Sequence, residues 1–501
     1  MGKHPRIVII GAGIGGLVSA MLLAGRADVR VLEKSDRVGG KARAQAVGSS
    51  TIDCGPTVFT MKWVFDEIFE AIGCRFEEEL PLTPLDCLAR HFWTDGSQLD
   101  LYPDIDRSAE AIKAFSSPKE ATNYRQFCRR SEEIFERLVD PFLKAPSANM
   151  ARLITSGNPI SNLRMRPFST LWQVLSEQFD DPRLRQLYGR YATYCGASPY
   201  AASATLMLVA HVERVGVWLP KGGMAGLAAC LAETAKGLGA EIRTGVSVSQ
   251  IRSDGRSISG VVTAEDEFIP ADIVISNADA NAMRTGMMGK QTIKAVPRDA
   301  GAVRSQSAMT WTLEANAKGV DLDAHNVFFS DDYRAEFDAV FEKGTVPSKP
   351  TTYLFAPDQT TSGPKSMFFL INAPANGDRH EYSKEEANTC LMQMMDQLKA
   401  CGLELEIKPE TMTVTTPTQF AERFPATGGA LFGPASHGWQ APFKRPSIKT
   451  KRQGLYLAGG SVHPGPGVPM AALSGKAAAE AVISDYNLTA PSRKLVTHGG
   501  M

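Results

Sequence analysis

Three stretches of the chain predict an α/β fold built around a Rossmann-type βαβ unit. At the start, a β-branched run (residues 6–10), a Gly11-x-Gly13-x-x-Gly16 turn, a helix-compatible apolar stretch (17–24) and a second apolar run (29–32) follow one another. In the middle, helical patterning over residues 224–238 leads into short strand-like runs. Towards the end, a strand enters a Gly/Pro-rich loop and then a helix of small residues.

Each part of the first unit has a physical task. Gly11 allows the tight turn, Gly13 lets backbone approach a pyrophosphate, Gly16 lets helix and strand pack closely, and the helix N-terminus favours negative charge. Glu33, at the end of the second strand, suits a ribose hydroxyl, so the unit predicts dinucleotide binding rather than a merely glycine-rich turn. Residues 7–25 are uncharged, but four glycines within six positions argue against a signal peptide or a membrane span there.

Residues 108–214 read as mainly helical, with Arg/Glu-rich polar faces and Leu/Phe/Trp apolar ones. Within them, residues 158–175 interleave Arg164 and Arg166 with Leu163, Met165, Phe168, Leu171, Trp172 and Leu175, which suits either a bilayer interface or the interior of a helical domain. After the helix at 224–238 come runs at 241–243, 247–251, 257–263 and 272–276, with Asp254-Gly255 as a hairpin signal, so a three-strand meander is the simplest parse. The 309–405 region mixes strand-like runs (352–356, 367–372) with a helix over 384–400. The tail from 488 is polar and expected to fray.

Composition excludes several classes. Over 501 residues, Lys+Arg and Asp+Glu both number 54, so nothing steers the protein towards nucleic acid, and any membrane contact must be mainly apolar or local. The 8 cysteines are scattered, which argues against a metal site or disulfide framework and for reduced thiols in the cytoplasm.

The run from Glu33 through Gly39-Gly40-Lys41, followed by Asp53-Cys54-Gly55-Pro56-Thr57-Val58, resembles the flavin amine oxidase and carotenoid desaturase superfamily. Lys41 stands where a family arginine is common, which keeps the charge and loses the planar fork. Trp218-Leu-Pro-Lys-Gly-Gly-Met224 is similar to a second signature of those proteins. The block from Gly454 to Gly475, with Gly459-Gly460-Ser461-Val462-His463-Pro464-Gly465-Pro466-Gly467-Val468-Pro469-Met470 at its centre, resembles bacterial phytoene-type carotenoid desaturases, above all those acting on 1-hydroxycarotenoids.

That resemblance implies an FAD-binding domain of the amine oxidase/phytoene desaturase type, made of residues 1–90, 215–285 and 410–487. It also implies an inserted α+β substrate domain (91–214 and 286–409) with a helical membrane-facing part, and a flexible tail, 488–501. FAD would be held by Gly11, Ala12, Gly13, Gly16, Glu33, Gly40, Lys41, Gly55, Thr57, Val58, Val248, Asn277, Gly460, Val468, Pro469 and Met470. Val248 is equally readable as a core valine, and His463 either as a general base or as a loop residue shaping the flavin pocket.

The implied activity is C-3,4 dehydrogenation of an acyclic 1-hydroxy- or 1-methoxyneurosporene-type carotenoid. Hydride loss from an allylic carbon leaves a cation spread over the polyene, so the neighbouring proton leaves with weak assistance and no strong acid–base pair is needed. Quinone or oxygen would reoxidise the flavin, and the enzyme would sit peripherally on the inner or intracytoplasmic membrane. Open alternatives are another carotenoid desaturation or isomerisation step, an amine oxidase, and a prenyl-binding escort protein on the same fold.

Overall fold

The computed structural model describes residues 4–48, 50–155, 165–255, 257–297, 303–358 and 363–489. A five-stranded parallel sheet runs in the order Leu455–Leu457, Ile273–Ser276, Arg6–Ile10, Asp28–Leu32, Glu241–Arg243. Its central strands are buried apolar runs, the signature of a parallel sheet covered on both faces. Helix Ile14–Leu23, the crossover between the first two strands, is buried along its whole length between helices Gly223–Gly237 and Val468–Asp485.

The meander is real but its third strand is not the expected one. Val248–Asp254, Ser257–Thr263 and Phe268–Pro270 pair antiparallel, whereas Ile273–Ser276 leaves that sheet and lies parallel to Arg6–Ile10. All four residues of Ile273–Ser276 are buried, which suits the centre of a two-sided sheet, while Phe268–Pro270 alternates exposed, buried, exposed.

An eight-stranded mixed sheet forms the second layer. Its longest strand, Ser307–Lys318, was not singled out in the sequence. Met309, Trp311 and Leu313 on one face pack with Met367, Phe369 and Ile371 against helix Lys384–Ala400. The period of two turns Ala308, Thr310, Phe368, Leu370 and Asn372 the other way, into a cavity. Strand Ala89–Phe92 crosses the domain boundary expected at 90, and Thr413–Thr415 pairs with Ser307–Lys318, so the sheet runs past the boundary expected at 410.

Helices Ile105–Phe115, Pro118–Leu138, Leu171–Gln178, Pro182–Gly189 and Leu208–Arg214 build the helical part. Phe127, Phe179 and Tyr188 stack at its centre, with ring centroids 4.5–5.5 Å apart. Trp172 packs 4.6 Å from Tyr200, and Leu171 and Leu175 are buried, so residues 171–175 pack inward while Phe168 of the same stretch stays exposed. Residues 158–164 of the same stretch, and the tail from 490, lie outside the described residues. Among the described residues, no helix is long and apolar enough to cross a membrane.

Candidate active site

A single cavity of about 1280 Å³ runs from the C-terminal ends of the parallel strands, across the face of the mixed sheet, to the helical part. Such strand ends are where open α/β sheets bind ligands. Its volume exceeds the roughly 300–1,000 Å³ typical of a drug-sized ligand site, which leaves space for a dinucleotide and a second molecule.

At the end formed by the βαβ unit, Gly11, Gly13, Glu33, Gly40 and Lys41 line the cavity. Ala12 and Gly16 do not, and both act behind it. The Ala12 amide donates to Glu33 Oε2 at 2.7 Å, and the Ala12 carbonyl accepts from the Gly39 amide at 2.7 Å, which joins turn, acid and Gly-Gly loop. A Cβ on Gly16 would lie 2.2 Å from the Gly11 carbonyl oxygen. The Ser35 amide donates to Glu33 Oε1 at 2.9 Å; a carboxylate has further lone pairs for a ribose. Val248 lines the same end because the Gly245 and Val246 amides bond the Ser35 and Glu33 carbonyls.

Gly55, Thr57 and Val58 line the next part of the wall, with Asn277 from the end of Ile273–Ser276. The Asn277 side-chain amide donates to the Gly11 carbonyl at 3.4 Å, and its buried Oδ1 has no partner among the described residues. Lys41 Nζ donates to the Leu431 carbonyl at 2.5 Å and lies 5.2 Å from the Phe424 ring, and burial draws its pKa below the ordinary lysine value. Gly460, Val468, Pro469 and Met470 complete this side.

Two helix N-termini therefore meet the cavity, Ile14–Leu23 and Val468–Asp485, and neither has a side-chain cap on its first amides. One suits a pyrophosphate and the other the carbonyl edge of a flavin, so these residues fit FAD. Arg445, which no motif pointed to, clasps this end by donating to the carbonyls of Gly460 (3.1 Å), Phe432 (3.2 Å) and Pro434 (2.9 Å). Burial brings its pKa down to about 10.

His463 does not line the cavity. Its fully buried imidazole donates from Nε2 towards the Phe142 and Ala145 carbonyls, both at 2.9 Å, and burial pulls its pKa down to about 4. Of the two sequence readings, this geometry favours the one that shapes the pocket. Among the described residues, no cluster of His, Cys, Asp and Glu could hold a metal.

The far part of the wall carries no motif and was missed in the sequence. Leu138, Phe142, Leu206, Val209 and Val212 are among its apolar members, and Arg190, Glu213, Tyr353 and Glu336 among its polar ones. Tyr353 joins the two parts: its hydroxyl is 2.6 Å from Thr57 Oγ1 and 2.7 Å from His325 Nδ1. Exposed residues of the wall include Phe168 (71%) and Trp439 (37%), whose rings form an edge-to-face pair at 5.3 Å, and Met287 (50%).

A family model described as flavin containing amine oxidoreductase matches residues 14–483. The chain is 46% identical over 507 residues to a hydroxyneurosporene desaturase of Rubrivivax gelatinosus, covering 99% of this chain and 96% of the relative. It is 29% identical over 489 residues to a 1-hydroxycarotenoid 3,4-desaturase of a Flavobacterium species, covering 95% of this chain and 99% of the other. Among solved structures, an oxidoreductase from Methanosarcina mazei superimposes with a TM-score of 0.61 at 16% identity, over 95% of this chain and 100% of that one, a likeness of fold alone.

Proposed function

The chain belongs to the flavin containing amine oxidoreductase family and is an FAD-dependent oxidoreductase, and from that premise we propose that it desaturates an acyclic carotenoid. The substrate class is a 1-hydroxy- or 1-methoxyneurosporene-type polyene, and the new double bond is C-3,4. The observation that carries this reading is the 46% identity to a hydroxyneurosporene desaturase along 99% of the chain. The cavity supports it, since a largely apolar chamber adjoins the cofactor wall and includes two exposed, paired aromatic rings in its lining.

When bound, FAD supplies the acceptor for the two electrons that leave with the substrate's hydrogens. Gly11 and Gly13 with Glu33 would hold its adenosine and pyrophosphate part, Gly16 supporting the turn from behind, and the N-terminus of Val468–Asp485 would serve its ring. The parallel sheet and its helices carry the cofactor, while the mixed sheet and the helical part enclose the polyene and exclude water. Lys41, Arg445 and His463 keep the loops of the two parts in register through backbone carbonyls. Quinone or oxygen takes the electrons onward, and the substrate enters from a membrane surface on which the protein docks peripherally.

The test is expression in cells that accumulate neurosporene, 1-hydroxyneurosporene or phytoene, followed by pigment extraction. A red-shifted product is expected from 1-hydroxyneurosporene, because each added conjugated double bond lowers the excitation energy. Unchanged spectra in all three strains would overturn the reading.

A further inference from the structure

One part of the cavity wall is out of keeping with an all-hydrocarbon ligand. Arg190 reaches it from segment Arg190–Cys195, and Glu213 from helix Leu208–Arg214, where Val209 and Val212 share its face at helical spacing. Both are buried, at 6% and 2% exposure. Arg190 Nη2 is 3.5 Å from Glu213 Oε1 and 3.5 Å from His91 Nε2, and Nη1 bonds the Tyr194 hydroxyl. The Tyr191 hydroxyl donates to Glu213 Oε1 at 2.6 Å, and the Tyr194 hydroxyl to Oε2 at 3.1 Å. Against this well-partnered background, Arg190 Nε is buried and has no hydrogen-bond partner among the described residues. A guanidinium N–H cannot be titrated away, so leaving it without an acceptor in the interior is costly. Arg190 and Glu213 both line the cavity, so a ligand seated against this wall meets a charged pair whose hydrogen bonding is incomplete.

We propose that Arg190, held by Glu213 and Tyr194, receives the oxygen substituent of the substrate, a tertiary hydroxyl or its methyl ether, and so fixes the register of the polyene. This rests on the desaturase reading above and deepens it.

Three arguments carry the proposal. First, an ether oxygen accepts hydrogen bonds and cannot donate them, so a site serving both hydroxyl and ether must present a donor, which Arg190 does. Glu213 has lone pairs left for a hydroxyl proton, which an ether lacks. Second, a repetitive polyene in an apolar channel makes nearly the same contacts after sliding by one repeat, and one polar anchor removes that degeneracy. Third, an oxygen on C-1 is attached two and three bonds from the carbons that lose hydrogen, so its anchor must lie close to the cofactor wall. Tyr353 provides that link, since its hydroxyl bonds Thr57 of the cofactor wall and it lines the same cavity as Arg190 and Glu213. Segment Arg190–Cys195 also ends at Cys195, which lines the cavity together with Arg445, whose guanidinium bonds the Gly460 carbonyl.

The experiment is anaerobic reduction of the FAD-loaded protein in a single turnover, read as loss of the flavin's visible absorption, with 1-hydroxyneurosporene, its methyl ether and neurosporene. Arg190→Lys keeps a cation beside Glu213 and removes the Nε donor. The pair Arg190→Met with Glu213→Gln removes both charges, so neither stays buried and unpaired. In both variants, selectivity for the hydroxylated over the unsubstituted polyene should fall by roughly tenfold to a hundredfold, the range of one hydrogen bond to a charged group. The ether should fall with the hydroxyl. Variants that slow all three substrates in equal proportion overturn the proposal, because a structural role does only that. Wild-type protein that uses all three equally leaves the desaturase reading intact and overturns the anchor. Wild-type protein reduced by none of them overturns the reading and the anchor with it.

Discussion

Between two backbone carbonyls 2.9 Å from its Nε2, the His463 imidazole has a fixed tautomer and no route to the cavity. His463→Ala should therefore behave as a loss of packing and hydrogen bonding, about 1–3 kcal/mol of stability, with single-turnover flavin reduction slowed by less than roughly tenfold. A general base would cost about 10²–10⁴ in that rate, and a loss of that size would return His463 to the chemistry. Its proton linkage has a definite sign. In the unfolded chain the imidazole takes a proton below about pH 6.5; folded, it stays neutral down to about 4. Stability should thus fall as pH drops through that window, by about 3 kcal/mol from this residue. His463→Gln should remove that pH dependence from the unfolding free energy measured in urea, and an unchanged dependence would refute the linkage. At this scale the sequence was legible wherever the chemistry needs contiguous backbone: Gly11, Gly13 and Glu33 announce themselves. His463 could not be read, because its partner Phe142 lies 321 residues away. Arg190 and Glu213 belong to no motif, and only the packing of their two segments brings them together.

Helix Val468–Asp485 approaches Ile14–Leu23 so closely that a Cβ on Gly475 would lie 2.2 Å from the Gly15 carbonyl oxygen. Ser19 Oγ uses that closeness to donate to the Gly475 carbonyl at 2.9 Å. Gly475→Ala must push the helices apart, at about 1–3 kcal/mol by analogy with overpacked cores. Because Gly15 follows the N-cap Gly13 by two residues, the shift also moves the turn that meets the pyrophosphate. The expected outcome is a lower thermal midpoint and faster FAD release on dilution, and a variant equal to wild type in both would show that the contact has slack. Small residues in the last helix were visible in the sequence, but not which neighbour required them. The same limit explains the third meander strand. Residues 273–276 are plainly a strand, yet their sheet is decided by two-sided burial beside Arg6–Ile10, a non-local fact.

On the scale of the molecule, a formal net charge of zero means that contact with a lipid surface must be mainly apolar or local. The stretch that includes Trp172 suits either a bilayer interface or a helical interior by sequence, and the structure turns Trp172 inward against Tyr200 and Tyr333. What stays outside is Phe168, paired with Trp439 from a segment far along the chain, and both rings also line the cavity. A lipid-dissolved substrate entering there would never cross water, so docking and access become one feature. Burying an aromatic side chain fully is worth about 1.5–3 kcal/mol, and these two rings are already partly covered, so Phe168→Glu with Trp439→Glu should weaken vesicle binding by about tenfold or more. Flotation with neutral phosphatidylcholine vesicles measures it, and the binding should change little with salt, as apolar contact does. Met392→Glu is the matched control, since Met392 is 68% exposed on the outer helix Lys384–Ala400 and does not line the cavity. Equal flotation of the double variant and wild type, with FAD content unchanged in both, would move the docking face elsewhere and separate membrane contact from the mouth of the cavity.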